Sequence, residues 1–303
     1  MMKKLAFDWN LKEKPEDFIV SEVSKLPLDE NGKFYLYLLI KRNMNTKEIT
    51  NKYRLDYAGL KDKNALTFQY VSSVRFLGKV VKEKKDNESF YILYYLGKIS
   101  RRIKIGQLLG NKFSIKLKGS DINIQNWFIN YFDVQRLERN FEKGRKIIQN
   151  VSSNTSWKKL SWFENFYIDA YLSYLWNKTL MRYLSERFEG YKIYEKSFGF
   201  FIPFTDYQFL FENIPRFWPI LGYKVRIKDY ELNIYSEILS DEGIDIEKIL
   251  NKLKNLRIKG DYRKTFLKAE DLIIKGDRIQ FFLPKGAYAT MFLKHIFNYG
   301  VQE

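Results

Sequence analysis

Asp56-Tyr57-Ala58-Gly59-Leu60-Lys61-Asp62-Lys63-Asn64-Ala65-Leu66-Thr67-Phe68-Gln69-Tyr70 joins a helix-like segment to a β-like run through one short polar turn. Two lysines flank a single carboxylate there, so Asp62 stands in a cationic setting where a polyanion would bind. The same Gly-x-Lys-Asp-Lys-Asn composition also describes an ordinary solvated turn. The turn therefore locates a helix-to-strand transition and leaves its chemistry open until the rest of the chain is read.

Outward from this turn the grammar alternates. Pro15 blocks a helix ahead of a β-like start at Phe18, and Phe34 to Ile40 is an unbroken apolar run of strand length, expected to be buried on both faces. Thr46 is placed to cap a short helix ending near Tyr53. The run from Thr67 to Val74 is a strand, Lys82 to Glu88 a charged hairpin tip, and Phe90 to Leu96 a further strand. In Asn111-Lys112-Phe113-Ser114-Ile115-Lys116-Leu117-Lys118 the apolar residues alternate with lysines and a serine, which predicts a half-buried strand with a cationic outer face. Ile122 to Ile129 reads as a short helix.

Near Trp157 the period becomes helical. Trp162, Phe166, Ala170 and Tyr174 form one stripe and Phe163, Tyr167, Tyr171 and Leu175 its neighbour, which predicts a long helix to about Leu184 whose aromatics are core packing. Residues 190–240 are aromatic and do not parse. An amphipathic helix follows from Ile246, capped by Asp245 and stopped by Gly260. After Gly276 the β period returns with Ile279 to Leu283, then a Pro284-Lys285-Gly286 turn and a helix from Ala289 to Phe297. Strand-rich sequence around a helix-richer middle predicts an α+β chain, a sheet domain with a second domain inserted into it.

Composition narrows the function classes. The 303 residues carry 53 Lys plus Arg against 36 Asp plus Glu, a net charge of +17, which points to a polyanionic partner, most simply nucleic acid. No cysteine is present and His295 is the single histidine, which excludes disulfides, thiolate catalysis, cysteine-ligated zinc and histidine-rich metal sites. No apolar run reaches the length of a membrane span, and the first apolar residues meet Asp8 before any signal-type stretch forms, so a cytoplasmic protein is expected. There is no P-loop and no Gly-x-Gly-x-x-Gly, so a nucleotide cofactor has no sequence support.

Several short stretches, taken in order, resemble the TruD family of pseudouridine synthases over nearly the whole chain. They are Lys12 to Val20, Lys41 to Thr46, Ala58 to Gln69, Gly110 to Phe113, Asn130 to Arg136 and Leu283 to Thr290. Ala58-Gly59-Leu60-Lys61-Asp62-Lys63 matches the catalytic signature of that family. The resemblance implies a pseudouridine-synthase-type catalytic domain, built on a largely antiparallel or mixed sheet, at residues 1–155 and 268–303, with an inserted α+β TRUD domain at 156–267. It further implies a cofactor-free and metal-free isomerase converting uridine to pseudouridine in RNA, with tRNA, typically at position 13, as partner.

By the same resemblance, Asp62 is the catalytic aspartate, acting as nucleophile at C1′ or as base at C2′, and Lys12 is its basic partner. Phe18, Phe132 and Tyr288 become the walls of a pocket for a flipped base, Asn130 its polar reader, and Lys61 and Arg263 contacts within the site or to phosphate. The chain departs from the family at Asp133, where glycine is usual, and at Leu137-Glu138, where Phe-Gly is usual. Two acids there add negative charge near the pocket mouth, which makes a non-catalytic RNA binder on the same scaffold the competing reading.

Overall fold

The structure is a computed structural model, and residues 5–6, 13–117, 125–151 and 160–298 are described. The chain divides into two compact units. One comprises Asp8–Asp121 with Lys268–Ala289, the other Met1–Phe7, Ile122–Leu267 and Thr290–Glu303.

The first unit is built on a nine-stranded sheet. Across it lie Glu270–Lys275, Arg278–Pro284, Gly110–Lys116, Phe18–Val23, Leu66–Ser73, Phe34–Arg42, Phe90–Ile99 and Val80–Lys84, and the short Asp56–Tyr57 pairs on Leu66–Ser73. Neighbours are antiparallel except Phe18–Val23 with Leu66–Ser73, which run parallel. The sheet is thus mixed and largely antiparallel, as the family resemblance implies. A parallel pair needs a crossover, and the chain supplies it through the strand Phe34–Arg42 and the helix Thr46–Tyr53. Ile49 of that helix packs with Tyr37, Leu39, Val71, Tyr91 and Leu93 of the sheet, closing the core on this face.

Local differences from the sequence reading have physical causes. Pro15 permits a single 3-10 turn, Pro15–Asp17, with proline in its first turn. Phe34–Arg42 is not dry on both sides: Tyr37, Leu39 and Lys41 are buried while Leu38 and Ile40 are half-buried. Asn45, not Thr46, is the N-cap of the helix, and the Thr46 hydroxyl donates instead to Gln69 Oε1 at 3.1 Å. Phe113, Ile115 and Leu117 are buried as their alternation requires.

In the second unit the long helix is Trp162–Ser185, opened by a capping box in which Ser161 and Glu164 satisfy each other's backbone amides. Its first turn leaves Trp162 and Phe163 exposed, and the packed stripe begins at Ile168. Helix Phe141–Asn150 lies close against it at Gly144, where a Cβ would stand 1.9 Å from the Tyr167 carbonyl oxygen. The segment that does not parse folds as the hairpin Gly190–Glu195 and Phe198–Pro203, the helix Tyr207–Asn213, the strand Phe217–Ile220 and the helix Asp229–Asp241. Helix Ile246–Asn255 is capped by Asp245, which accepts from Lys248 N at 2.8 Å, and it ends at a left-handed Arg257 before Gly260 is reached.

The short helix expected over Ile122 to Ile129 is corrected. Residues 122–124 lie outside the described residues, and Trp127–Ile129 is a strand paired with Phe266–Lys268. Trp127, Phe128 and Ile129 are all buried, and three consecutive buried side chains suit a covered strand better than one helical stripe.

Candidate active site

In the first unit, Asp62 sits on the turn that enters Leu66–Ser73, half-buried. Its Oδ1 accepts the Asn64 amide at 2.9 Å, an Asx turn that sets the direction of the carboxylate. Its carbonyl oxygen accepts from Lys41 Nζ at 2.6 Å. Upstream, Gln69 Nε2 donates to Gly59 O at 3.2 Å, and the Thr46 hydroxyl accepts the Lys61 amide at 3.4 Å. Because Lys41, Thr67 and Gln69 are buried polar residues of adjacent strands, the turn rests on a polar patch of the sheet face.

The two flanking lysines separate. Lys63 is exposed, whereas Lys61 turns inward to donate to Asn111 Oδ1 at 2.7 Å and to pair with Glu22 at 3.0 Å, with only 4% and 0% of the two charged side chains exposed. Phe18 is buried, its ring edge-on to Phe113, which stacks on Phe281. Tyr288 is half-buried between Gly286, whose φ of +85° forms the turn, and the helix Ala289–Asn298. Lys12 lies outside the described residues.

Lys41 has no solvent exposure. Burial pushes its ammonium down to about 8, the Asp62 charge works against that fall, and Lys61 adds to it. His295 is buried against Trp127, and desolvation pushes it down to about 3, so the single imidazole is neutral near physiological pH.

In the second unit three expected site residues come together. Arg263 donates from Nε to the Asn130 carbonyl and from Nη2 to its Oδ1, each at 2.8 Å, while its guanidinium lies 4.0 Å over the Phe132 ring. Asn130 Nδ2 donates to Lys264 O at 3.0 Å. Phe132 is held by Asn177, which accepts its amide at 2.9 Å and donates to its carbonyl at 2.8 Å, and its ring meets Trp176 edge-on. Arg136 covers the same ring at 5.3 Å.

Asp133 and Glu138 are corrected as sources of bare negative charge. Asp133 is buried; it caps Val134–Leu137 through the Gln135 amide, accepts from Thr290 and pairs with Lys294 at 3.2 Å. Glu138 pairs with Lys196 at 2.6 Å. Residues missed by sequence reasoning are Lys41, Gln69, Trp176 and Asn177. A lysine closing an apolar strand and an asparagine inside an apolar helix stripe are the signals that could have marked two of them.

The profile of tRNA pseudouridine synthase D (TruD) matches residues 2–150 and 134–296. A protein of Nanoarchaeum equitans described as "Probable tRNA pseudouridine synthase D" is 29% identical, the match covering 95% of this chain and 98% of that protein. The "tRNA pseudouridine synthase D" of Aquifex aeolicus is 27% identical, covering 96% and 98%. A crystal structure from Methanosarcina mazei, titled for TruD, shares the fold with a TM-score of 0.58 at 20% identity, covering 97% of this chain and 94% of that one. The chain belongs to the TruD family of tRNA pseudouridine synthases, the family that its ordered motifs resemble.

Proposed function

We infer that this chain isomerises uridine to pseudouridine in tRNA, at the D-arm uridine of position 13, with Asp62 as the acting carboxylate. The observation that carries the reading is the Asp62 turn itself, which occupies the family's signature motif and is fastened from below by Lys41, Gln69 and Lys61. A half-buried carboxylate aimed by its own Asx turn is preorganised for attack at C1′ or for removal of the C2′ proton. Either start releases uracil from its N1–C1′ bond as an anion. The base turns and forms the C5–C1′ bond, either displacing the Asp62 carboxylate from C1′ or adding to a C1′–C2′ double bond as C2′ regains its proton. The C5 proton leaves and N1 takes up a proton, so the product is an isomer of the substrate and no redox step is needed.

Lys12 serves as basic partner of Asp62. Phe18, Phe132 and Tyr288 supply ring faces, Asn130 an amide for the uracil edge, and Arg263 holds Asn130 and Phe132 as a unit. Lys61 acts from below the turn, through Glu22 and Asn111. The catalytic domain spans 1–155 and 268–303 around a TRUD domain at 156–267, and the protein works in the cytoplasm. Among the described residues no helix is long and apolar enough to cross a membrane. The non-catalytic reading drew on Asp133 and Glu138, and with both charges paired no observation favours it.

The test is release of tritium from C5-tritiated uridine tRNA. Wild type releases it and Asp62→Asn does not; a wild type silent on the whole cellular tRNA pool overturns the reading.

A further inference from the structure

Lys41 is a buried charge for which the isomerisation chemistry has no direct use. It lies on Phe34–Arg42 between Leu66–Ser73 and Phe90–Ile99, with no exposed surface. Its hydrogen bond goes to the Asp62 carbonyl, and among the described residues no carboxylate pairs with it directly. Sealing an ammonium from water with so little compensation is unfavourable, and an apolar side chain of similar length would fill the space without that penalty. A lysine at this point of the core therefore serves something other than the fold.

The groups facing it are few. The turn contributes Asp62 and Lys61, and Lys61 is neutralised by Glu22. Directly across the sheet stand Thr67, on one side, and Tyr91, on the other. The Thr67 hydroxyl is buried without a hydrogen-bond partner among the described residues. The Tyr91 hydroxyl is engaged with Tyr53 and Glu83. Asp62 is the anion whose charge supports that of Lys41.

We propose that Lys41 is a positioning residue for Asp62: its ammonium fastens the main chain of the reacting residue and places a fixed positive charge beneath the carboxylate. This rests on Asp62 being the acting group. Lys41 touches neither RNA nor the reacting atoms, and its effect passes through Asp62.

The protonation of Lys41 gives this role a signature. Its ammonium is present below about pH 8 and lost above it, so the rate falls as pH rises through that value. Stability moves the other way. Between about pH 8 and the ordinary lysine value the unfolded chain holds a proton that the folded chain has released, so this group adds stability as pH rises. A lysine serving only the fold would show no such opposition between rate and stability.

Single-turnover tritium release with excess enzyme, measured from pH 6 to 10 beside thermal melting, tests the proposal on Lys41→Met and Lys41→Arg. Lys41→Met slows release by about 10- to 100-fold, the size of one lost charged hydrogen bond. It melts no lower than wild type at pH 7 and shows no fall near pH 8. Lys41→Arg, charged throughout this range, recovers most of the rate and keeps it above pH 8. A Lys41→Met rate within about twofold of wild type overturns the proposal, as does an unchanged fall near pH 8 in Lys41→Arg. Should Lys41→Met fail to fold, the Lys41→Arg profile alone decides. A wild type without turnover sinks the assignment of Asp62, whereas an active wild type matched by Lys41→Met removes Lys41 alone.

Discussion

Arg263 grips Asn130 at two points, its carbonyl and its side-chain oxygen, both at 2.8 Å, while covering the Phe132 ring at 4.0 Å. One guanidinium thereby sets the direction of an amide and the plane of an aromatic ring. Lysine has no planar fork and cannot make both bonds and the stacking contact. Arg263→Lys is expected to lower kcat/KM for tRNA by about 10- to 100-fold. Steady-state tritium release checks it, and a variant matching wild type would show that the fork is dispensable.

The buried pair Lys61–Glu22 makes a prediction about stability. Removing Lys61 leaves the Glu22 carboxylate sealed beside Asn111 without its cation. Lys61→Met is expected to cost about 3 to 5 kcal/mol of unfolding free energy. Adding Glu22→Gln to it restores most of that, because the orphaned charge disappears. Urea unfolding of the two single variants and the double variant measures the coupling.

Asp133 behaves as a structural acid. It caps a helix and meets Lys294, so Asp133→Gly, the residue usual in the family, is expected to destabilise this chain by about 2 to 4 kcal/mol. The salt dependence of RNA binding, which counts neutralised phosphates, stays as in wild type. A steeper slope in the variant would show that Asp133 had repelled the RNA.

His295 ties stability to acid. The folded imidazole titrates at about 3 and the unfolded one near its ordinary value, so the unfolded chain binds the extra proton below pH 6.5. Stability from this residue is complete above pH 6.5 and is lost as pH falls, by about 3 kcal/mol at pH 4. His295→Leu is expected to flatten this limb. Unfolding free energies at pH 7 and pH 4 for both proteins supply the comparison.

Legibility in the sequence followed locality. The strand at Phe113 to Leu117, the long helix, and the Gly286 turn were readable because each is governed by residues two to four positions apart. Trp127–Ile129 was misread because its strand partner, Phe266–Lys268, is well over a hundred residues away, and nothing local distinguishes a covered strand from a short apolar helix. Residues 190–240 were opaque for a related reason: aromatic side chains pack on any face that tertiary structure offers them.

The sequence by itself determined the class of partner, through its charge, and the family, through the order of its motifs, which is what singles out Asp62 as the carboxylate proposed to react. It also determined the α+β character, since period and capping are written along the chain. Only the tertiary structure decided what stands beneath Asp62. Lys41, Gln69 and Lys61 approach the turn from different strands or from within the turn, and which way each amine or amide points depends on burial and on partners remote in sequence. Tertiary structure likewise turned Asp133 from an apparent obstacle to RNA into a buried cap, because a charge acts through its nearest neutralising partner and Lys294 lies 161 positions away.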